Sequence, residues 1–263
     1  MLAHKLVGNA MQMTVVQLEA GQTVYCEAGK FLWKTVNVGV ETRLTKPNAG
    51  GAAGGGFLGG LMDVGKRMMA GESAAFQYYT AAGGNGLVAF AGVLPGEMRA
   101  LELDGSRGWF AGKDAFVAAE STVDFDIAFS GFKTGRKGGE GFVLEKFTGR
   151  GTLFIAGAGN FIELNPAKYG GKIQVDTGCV VAFQDTISYG VERVGAMNAQ
   201  TAMTAMFGGE GLNLATLEGD GTVIIQSLTM KGLGQALSQF IGGSSRDSNP
   251  NNPLGTLFGG GND

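Results

Sequence analysis

Residues able to do chemistry are few in this sequence, and their spacing suits little of it. His4 is the single histidine. A histidine metal cluster, a Ser-His-Asp triad and a Cys-His pair each need an imidazole held within reach of other groups. His4 instead falls in the stretch Met1 to Met13, which reads as a short leader ahead of the first module. Cys26 and Cys179 stand 153 positions apart with no C-x-x-C spacing. Zinc is therefore not indicated, and two reduced thiols are expected, although sequence alone leaves open whether they meet. The glycine-rich run Asn48 to Gly56 invites comparison with a phosphate loop. The basic pair that follows it, Lys66-Arg67, is not succeeded by Ser or Thr, so the phosphate-binding order is absent. No catalytic group and no cofactor are expected.

Two weaker constellations remain. Glu72, Glu140 and Glu210 are the acidic residues that recur at equivalent places along the chain. If they lay equivalently around an axis, three converging carboxylates could hold a cation. The simpler reading, which we prefer, is that each accepts backbone N–H groups at the start of a strand. The densest basic patch is Lys133, Arg136 and Lys137. An RNA-binding ring needs basic residues and aromatic platforms on every module, whereas the third module has no basic residue in the matching connection. Nucleic acid is accordingly not expected as a partner.

The elements that must carry these residues are strands. Runs such as Thr14-Val15-Val16-Gln17-Leu18 and Thr23-Val24-Tyr25-Cys26 are β-branched and aromatic, short, and bounded by glycine. Val36, Val38 and Val40 alternate with polar or small residues, the period of a half-buried strand. The 48 glycines follow no Gly-X-Y period and sit at turns and in one loop. With 44% apolar and 16% charged residues, either much surface is hidden between subunits or glycine and small polar residues line it. The net charge of −3 draws the chain to neither nucleic acid nor anionic membranes.

A repeat organises the chain. Gly139-Glu140-Gly141 opens a block that turns at Gly149-Arg150-Gly151. Gly209-Glu210-Gly211 opens another that turns at Gly219-Asp220-Gly221, and a looser copy begins at Gly71-Glu72-Ser73. The glutamates are 68 and 70 positions apart. Upstream, Phe31 and Val38, Phe116 and Val123, and Val180 and Ile187 are each separated by seven. The expectation is three tandem hairpin-rich β modules over residues 1–92, 93–159 and 160–228, followed by a short helix and a Gly/Asn/Ser-rich tail over 229–263.

The modules differ in their inserts. Leu58, Leu61, Met62, Met68 and Met69 fit a helical stripe, and Met203 and Met206 belong to a related stretch in module three. Leu233, Leu237 and Phe240 follow helical spacing in Lys231 to Ile241. These ten residues either cover the ends of the β core or, since methionine-rich amphipathic surfaces accept varied partners, form the expected partner surface. The polar faces are thin in basic residues, which favours a protein partner over lipid. The longest nearly unbroken apolar stretch, Leu87 to Leu94, is far shorter than a bilayer span, and the chain is expected in the cytoplasm.

The strand entry Lys113-Asp114-Ala115-Phe116-Val117-Ala118, the insert ending Gly71-Glu72-Ser73 and the block Phe207-Gly208-Gly209-Glu210-Gly211-Leu212 with its turn make a set. On these residues the chain, from about Val16 to Leu228, resembles the bacterial members of the mitochondrial-biogenesis family named for altered inheritance of mitochondria, a domain of unknown function. The resemblance implies an all-β fold of three modules per chain like the tryptophan-responsive RNA-binding attenuator, a form of double-stranded β-helix, in pseudo-three-fold arrangement. It also implies a homotrimer closing a nine-module ring. The resulting expectation is a non-enzymatic scaffold that binds a protein. An RNA-binding regulatory ring and a membrane-associated biogenesis or stress factor, touching but not spanning the bilayer, stand as alternatives.

Overall fold

Strands form where β-branched and aromatic residues alternate, and glycine or a polar turn ends each one. The computed structural model describes residues 1–43, 75–129, 143–193 and 213–241. The protein is all-β, with one α-helix among the described residues, α1 (Met230–Ile241). Residues 1–229 form one compact unit, and a second begins at Met230.

β1 (Ala3–Val7) lies antiparallel to β2 (Met13–Leu18). The stretch read as a leader is therefore part of a sheet, because the free edge of β2 offers it backbone partners. After β2 come β3 (Thr23–Glu27), β4 (Phe31–Lys34), β5 (Val38–Arg43), β6 (Phe76–Ala81) and β7 (Gly86–Ala91). β2 and β4 pair with β7, and β3 and β5 pair with β6.

A second set follows: β8 (Met98–Asp104), β9 (Trp109–Gly112), β10 (Phe116–Glu120), β11 (Val123–Phe129) and β12 (Val143–Ala156). β12 is long, and its two halves do the work of β6 and β7. The first half pairs with β9 and β11, the second with β8 and β10. The third set is β13 (Phe161–Leu164), β14 (Lys172–Asp176), β15 (Val180–Gln184), β16 (Ser188–Arg193), β17 (Asn213–Glu218) and β18 (Val223–Gln226). Here β13 and β15 pair with β18, and β14 and β16 with β17. Among the described residues one pairing scheme thus recurs three times.

Local details recur with it. The register slips between Phe31 and Trp33, between Phe116 and Ala118, and between Val180 and Ala182. A bulge at the same place in β4, β10 and β15 twists each strand in the same sense. The residue four positions beyond the first of each pair then receives a backbone N–H with its side chain. Thr35 Oγ1 accepts from Leu87 N at 3.0 Å, Glu120 Oε2 from Thr152 N at 3.2 Å and Gln184 Oε1 from Thr222 N at 2.8 Å. Three different side chains do one job, which is why the sequence repeat is faint there. The hairpin glycines are required by geometry. Gly149 and Gly219 have φ of +98° and +129°, and a Cβ would lie 2.6 Å from Thr122 O and 2.8 Å from Thr186 O.

The alternation read through Val36, Val38 and Val40 does not hold. Val36 is 99% exposed in the turn before β5, closed by Val38 N donating to Thr35 O at 3.1 Å, and of the three only Val38 is buried. The turn interrupts the pleat, so the spacing of the valines no longer reports one strand face.

Two joints stitch the sets together. β10 pairs with β3 and β15 with β9, so a sheet of eleven strands among the described residues runs through all three. Parallel bridges also connect Met11 to Gly96 and Gly96 to Gly159. The principal apolar core lies at the first joint. There Phe116 is surrounded by the rings of Tyr25, Phe76, Phe125 and Phe147.

Candidate interaction surfaces

The histidine and the cysteines take structural places. His4 sits on β1, with Nδ1 3.0 Å from Leu2 O and its ring edge-on to Phe154 at 5.1 Å. Both cysteines are free thiols, so Cys26 and Cys179 are not bridged. Burial pushes the Cys26 thiol up to about 12, outweighing a hydrogen bond with Tyr79 that acts the other way. Burial also raises the Cys179 thiol, with Asp176 adding to the effect. The Tyr25 hydroxyl donates to Val123 O at 3.2 Å. Its pKa is held well above the usual tyrosine range by burial first, then by Tyr78, Glu145 and Asp124.

Two outcomes follow. With an excess of aromatic disulfide reagent at pH 8, Cys179 should react at once and Cys26 only as fast as the body opens. Two equally rapid thiols would contradict the placement of Cys26. Stability should also fall in base. The unfolded thiol loses its proton near 9 while the folded one keeps it to about 12. The unfolded state then binds fewer protons, so Cys26's contribution is complete below pH 9 and is lost as pH rises through about 12. The slope from this one group is about 1.4 kcal/mol per pH unit at its steepest. Cys26→Ala should flatten the alkaline limb of a urea-midpoint profile, an alanine being tolerable because Ala111 fills the matching position of the second set.

Glu72, Glu140 and Glu210 lie outside the described residues, as do Lys133, Arg136 and Lys137, the insert residues Leu58, Leu61, Met62, Met68 and Met69, and Met203 and Met206. Among the described residues no group of three or more His, Cys, Asp or Glu could hold a metal, and no helix is long and apolar enough to cross a membrane. α1 carries Leu233 and Leu237 one turn apart, with Leu237 exposed. Phe240 belongs to the same helix.

The surface that sequence reasoning missed is an edge. At the two joints the strand entering from the next set is buried: Phe116, Val117 and Ala118 on β10, and Val180, Val181 and Ala182 on β15. The matching residues of the first set, Phe31, Leu32 and Trp33 on β4, are 37%, 47% and 39% exposed. Among the described residues β4 pairs with β7 alone. At the other end β14, which matches β3 and β9, pairs with β17 alone. Ile173 and Val175 are half-buried there, and Lys172 and Gln174 are both held by Glu192 of β16, at 2.8 and 2.7 Å. A shallow depression of about 230 Å³, lined by Leu32 with Val7, Met11, Met13 and Leu94, continues the apolar surface beside β4. A signal was present in the sequence. Three consecutive bulky apolar residues in a strand put apolar groups on both faces, and a strand covered on one face has no use for that.

The molecule is an all-β protein in which one set of strands recurs, with His4 on β1, Cys26 buried on β3 and Cys179 half-buried just before β15. A profile of the family described as Mitochondrial biogenesis AIM24 matches residues 4–228, and the chain belongs to that family. An uncharacterized protein of Streptococcus pyogenes serotype M6 is 28% identical over 252 residues, 92% of this chain and 95% of the relative. A crystal structure of a Streptococcus pyogenes protein, solved by the Northeast Structural Genomics Consortium, is similar with a TM-score of 0.70. It is 25% identical and covers 91% of this chain and 100% of that one.

Proposed function

We propose that the protein is a non-enzymatic scaffold. Its three strand sets are tandem modules like those of the tryptophan-responsive RNA-binding attenuator. Copies of the chain close into a ring, three chains to the ring, and the amphipathic additions present a surface to a protein partner. The observation that carries this reading is the recurrence of one pairing scheme three times, with the same kind of joint between consecutive sets. A modular sheet that ends in open edges is completed by cyclic closure. The burial of Cys26 within β3 supports a structural role for that thiol. Leu233 and Leu237 on α1 offer an apolar stripe of the kind that docks into a groove on a partner.

Light scattering coupled to size exclusion tests the assembly. The expected mass is three times the 27.1 kDa of one chain. A species of one chain's mass at micromolar concentration would remove the ring.

A further inference from the structure

We infer that the chain binds a second copy of itself head to tail, strand β4 of one copy pairing antiparallel with strand β14 of the next. The inference deepens the ring reading by naming the surfaces that join.

The two joints inside the chain supply the template. At the first, Ala118, Ala119 and Glu120 of β10 face Cys26, Tyr25 and Val24 of β3. At the second, Ala182, Phe183 and Gln184 of β15 face Ala111, Phe110 and Trp109 of β9. In each, counting the sets from β2, β8 and β13, the third strand of one set pairs with the second strand of the set before it. Carrying the pattern on leaves, among the described residues, one strand of each kind without its counterpart, β4 at the start of the array and β14 at its end. The residues agree. Trp33 occupies the place of Ala118 and Ala182, and Val175 that of Cys26 and Ala111. All four template residues are fully buried, whereas Trp33 is exposed and Val175 half-buried. The register follows directly: Trp33 opposite Val175, Lys34 opposite Gln174, Thr35 opposite Ile173.

The occupant must be a strand, because what each edge offers is a row of backbone donors and acceptors flanked by apolar side chains. It must be a second copy, because each edge already has its complement, in kind and in register, at the other end of the same array. Such an interface is heterologous, and it closes into a ring when the rotation per chain allows.

The test uses two edge variants of the full chain, Trp33→Lys and Val175→Lys, with masses read by light scattering and strand content by circular dichroism. Each variant alone should fall from the wild-type multimer to one chain's mass, since every joint would carry one lysine facing an apolar residue. An equimolar mixture should recover a species of two chains, joined through the one unmodified β14 and the one unmodified β4. If the wild type is multimeric and either variant alone stays so, the joint is overturned while the ring reading stands. A wild type of one chain's mass overturns both. Should a lysine variant lose its strand content, the pair Trp33→Cys with Val175→Cys on one chain takes its place, in a Cys179→Ser background. Oxidation should then give covalent multimers on a non-reducing gel. A disulfide that leaves the mass at one chain would show β4 covered by the chain's own β14 and end the proposal.

Discussion

Phe116→Ala is expected to lower the stability of the compact unit by about 3–5 kcal/mol, the range for truncating a fully buried phenylalanine. Phe116 is completely inaccessible, and four aromatic rings lie around it: Phe147 at 5.1 Å, Tyr25 at 5.7 Å, Phe125 at 6.2 Å and Phe76 at 6.4 Å between centroids. The four rings come from four different strands, β12, β3, β11 and β6, so the cavity cannot close by moving one element. Phe116 also opens β10, the strand that joins the first set to the second. A loss here loosens packing on both sides of a joint. Urea denaturation followed by tryptophan fluorescence would read it as a lower midpoint at nearly constant slope. A shift equivalent to less than 1 kcal/mol would mean that the aromatic cluster is not where the stability resides. Phe31→Ala is the matched comparison, because Phe31 holds the same place in the first set but is 37% exposed.

Gly96→Val should be at least as damaging, for a different reason. A Cβ at Gly96 would stand 2.0 Å from Gly157 O and 2.7 Å from Gly159 N, both backbone atoms that no rotamer change can move aside. The same few residues carry the bonds that hold the three sets side by side. Gln12 N donates to Gly96 O at 3.1 Å, Glu97 N to Gly159 O at 3.0 Å, Gly157 N to Glu97 O at 3.0 Å and Gly159 N to Pro95 O at 2.9 Å. Overpacking against side chains typically costs about 1–3 kcal/mol. Against fixed backbone, with several bonds to break, about 3 kcal/mol or more is expected, or failure to fold at 37 °C. Gly96→Ala should already show most of the effect, which separates a clash at Cβ from one of side-chain size. Wild-type melting of Gly96→Ala would refute the close approach.

The matching hydrogen bonds of Thr35, Glu120 and Gln184 show why part of the architecture was readable from sequence and part was not. The seven-residue spacing and the Gly-x-Gly turns were visible, because turn chemistry acts over a few residues. The fold class and the existence of a repeat came from those signals. The hydrogen-bonding residues were invisible as a repeat, since a hydroxyl, a carboxylate and an amide can each accept the same N–H. The valines of residues 36–40 misled because a turn and a strand can present the same spacing. The candidate surfaces fared unevenly. α1 was legible from the helical spacing of Leu233 and Leu237, while the exposed edge at Phe31, Leu32 and Trp33 was not, since which strand lies at an edge depends on pairing between distant segments.

By itself, then, the order of residues determined that this chain makes short strands, where most of them turn, and that the pattern comes three times. It also left His4, Cys26 and Cys179 too scattered to assemble by proximity in the chain. Only the tertiary structure decided which strands meet, that β10 finds β3 and β15 finds β9, and that β4 and β14 are left at the ends. Pairing partners in a sheet are chosen by burial and register between segments far apart in the chain. Two strands as alike in composition as Phe31-Leu32-Trp33 and Phe116-Val117-Ala118 can therefore end one at an open edge and the other at the centre of the molecule.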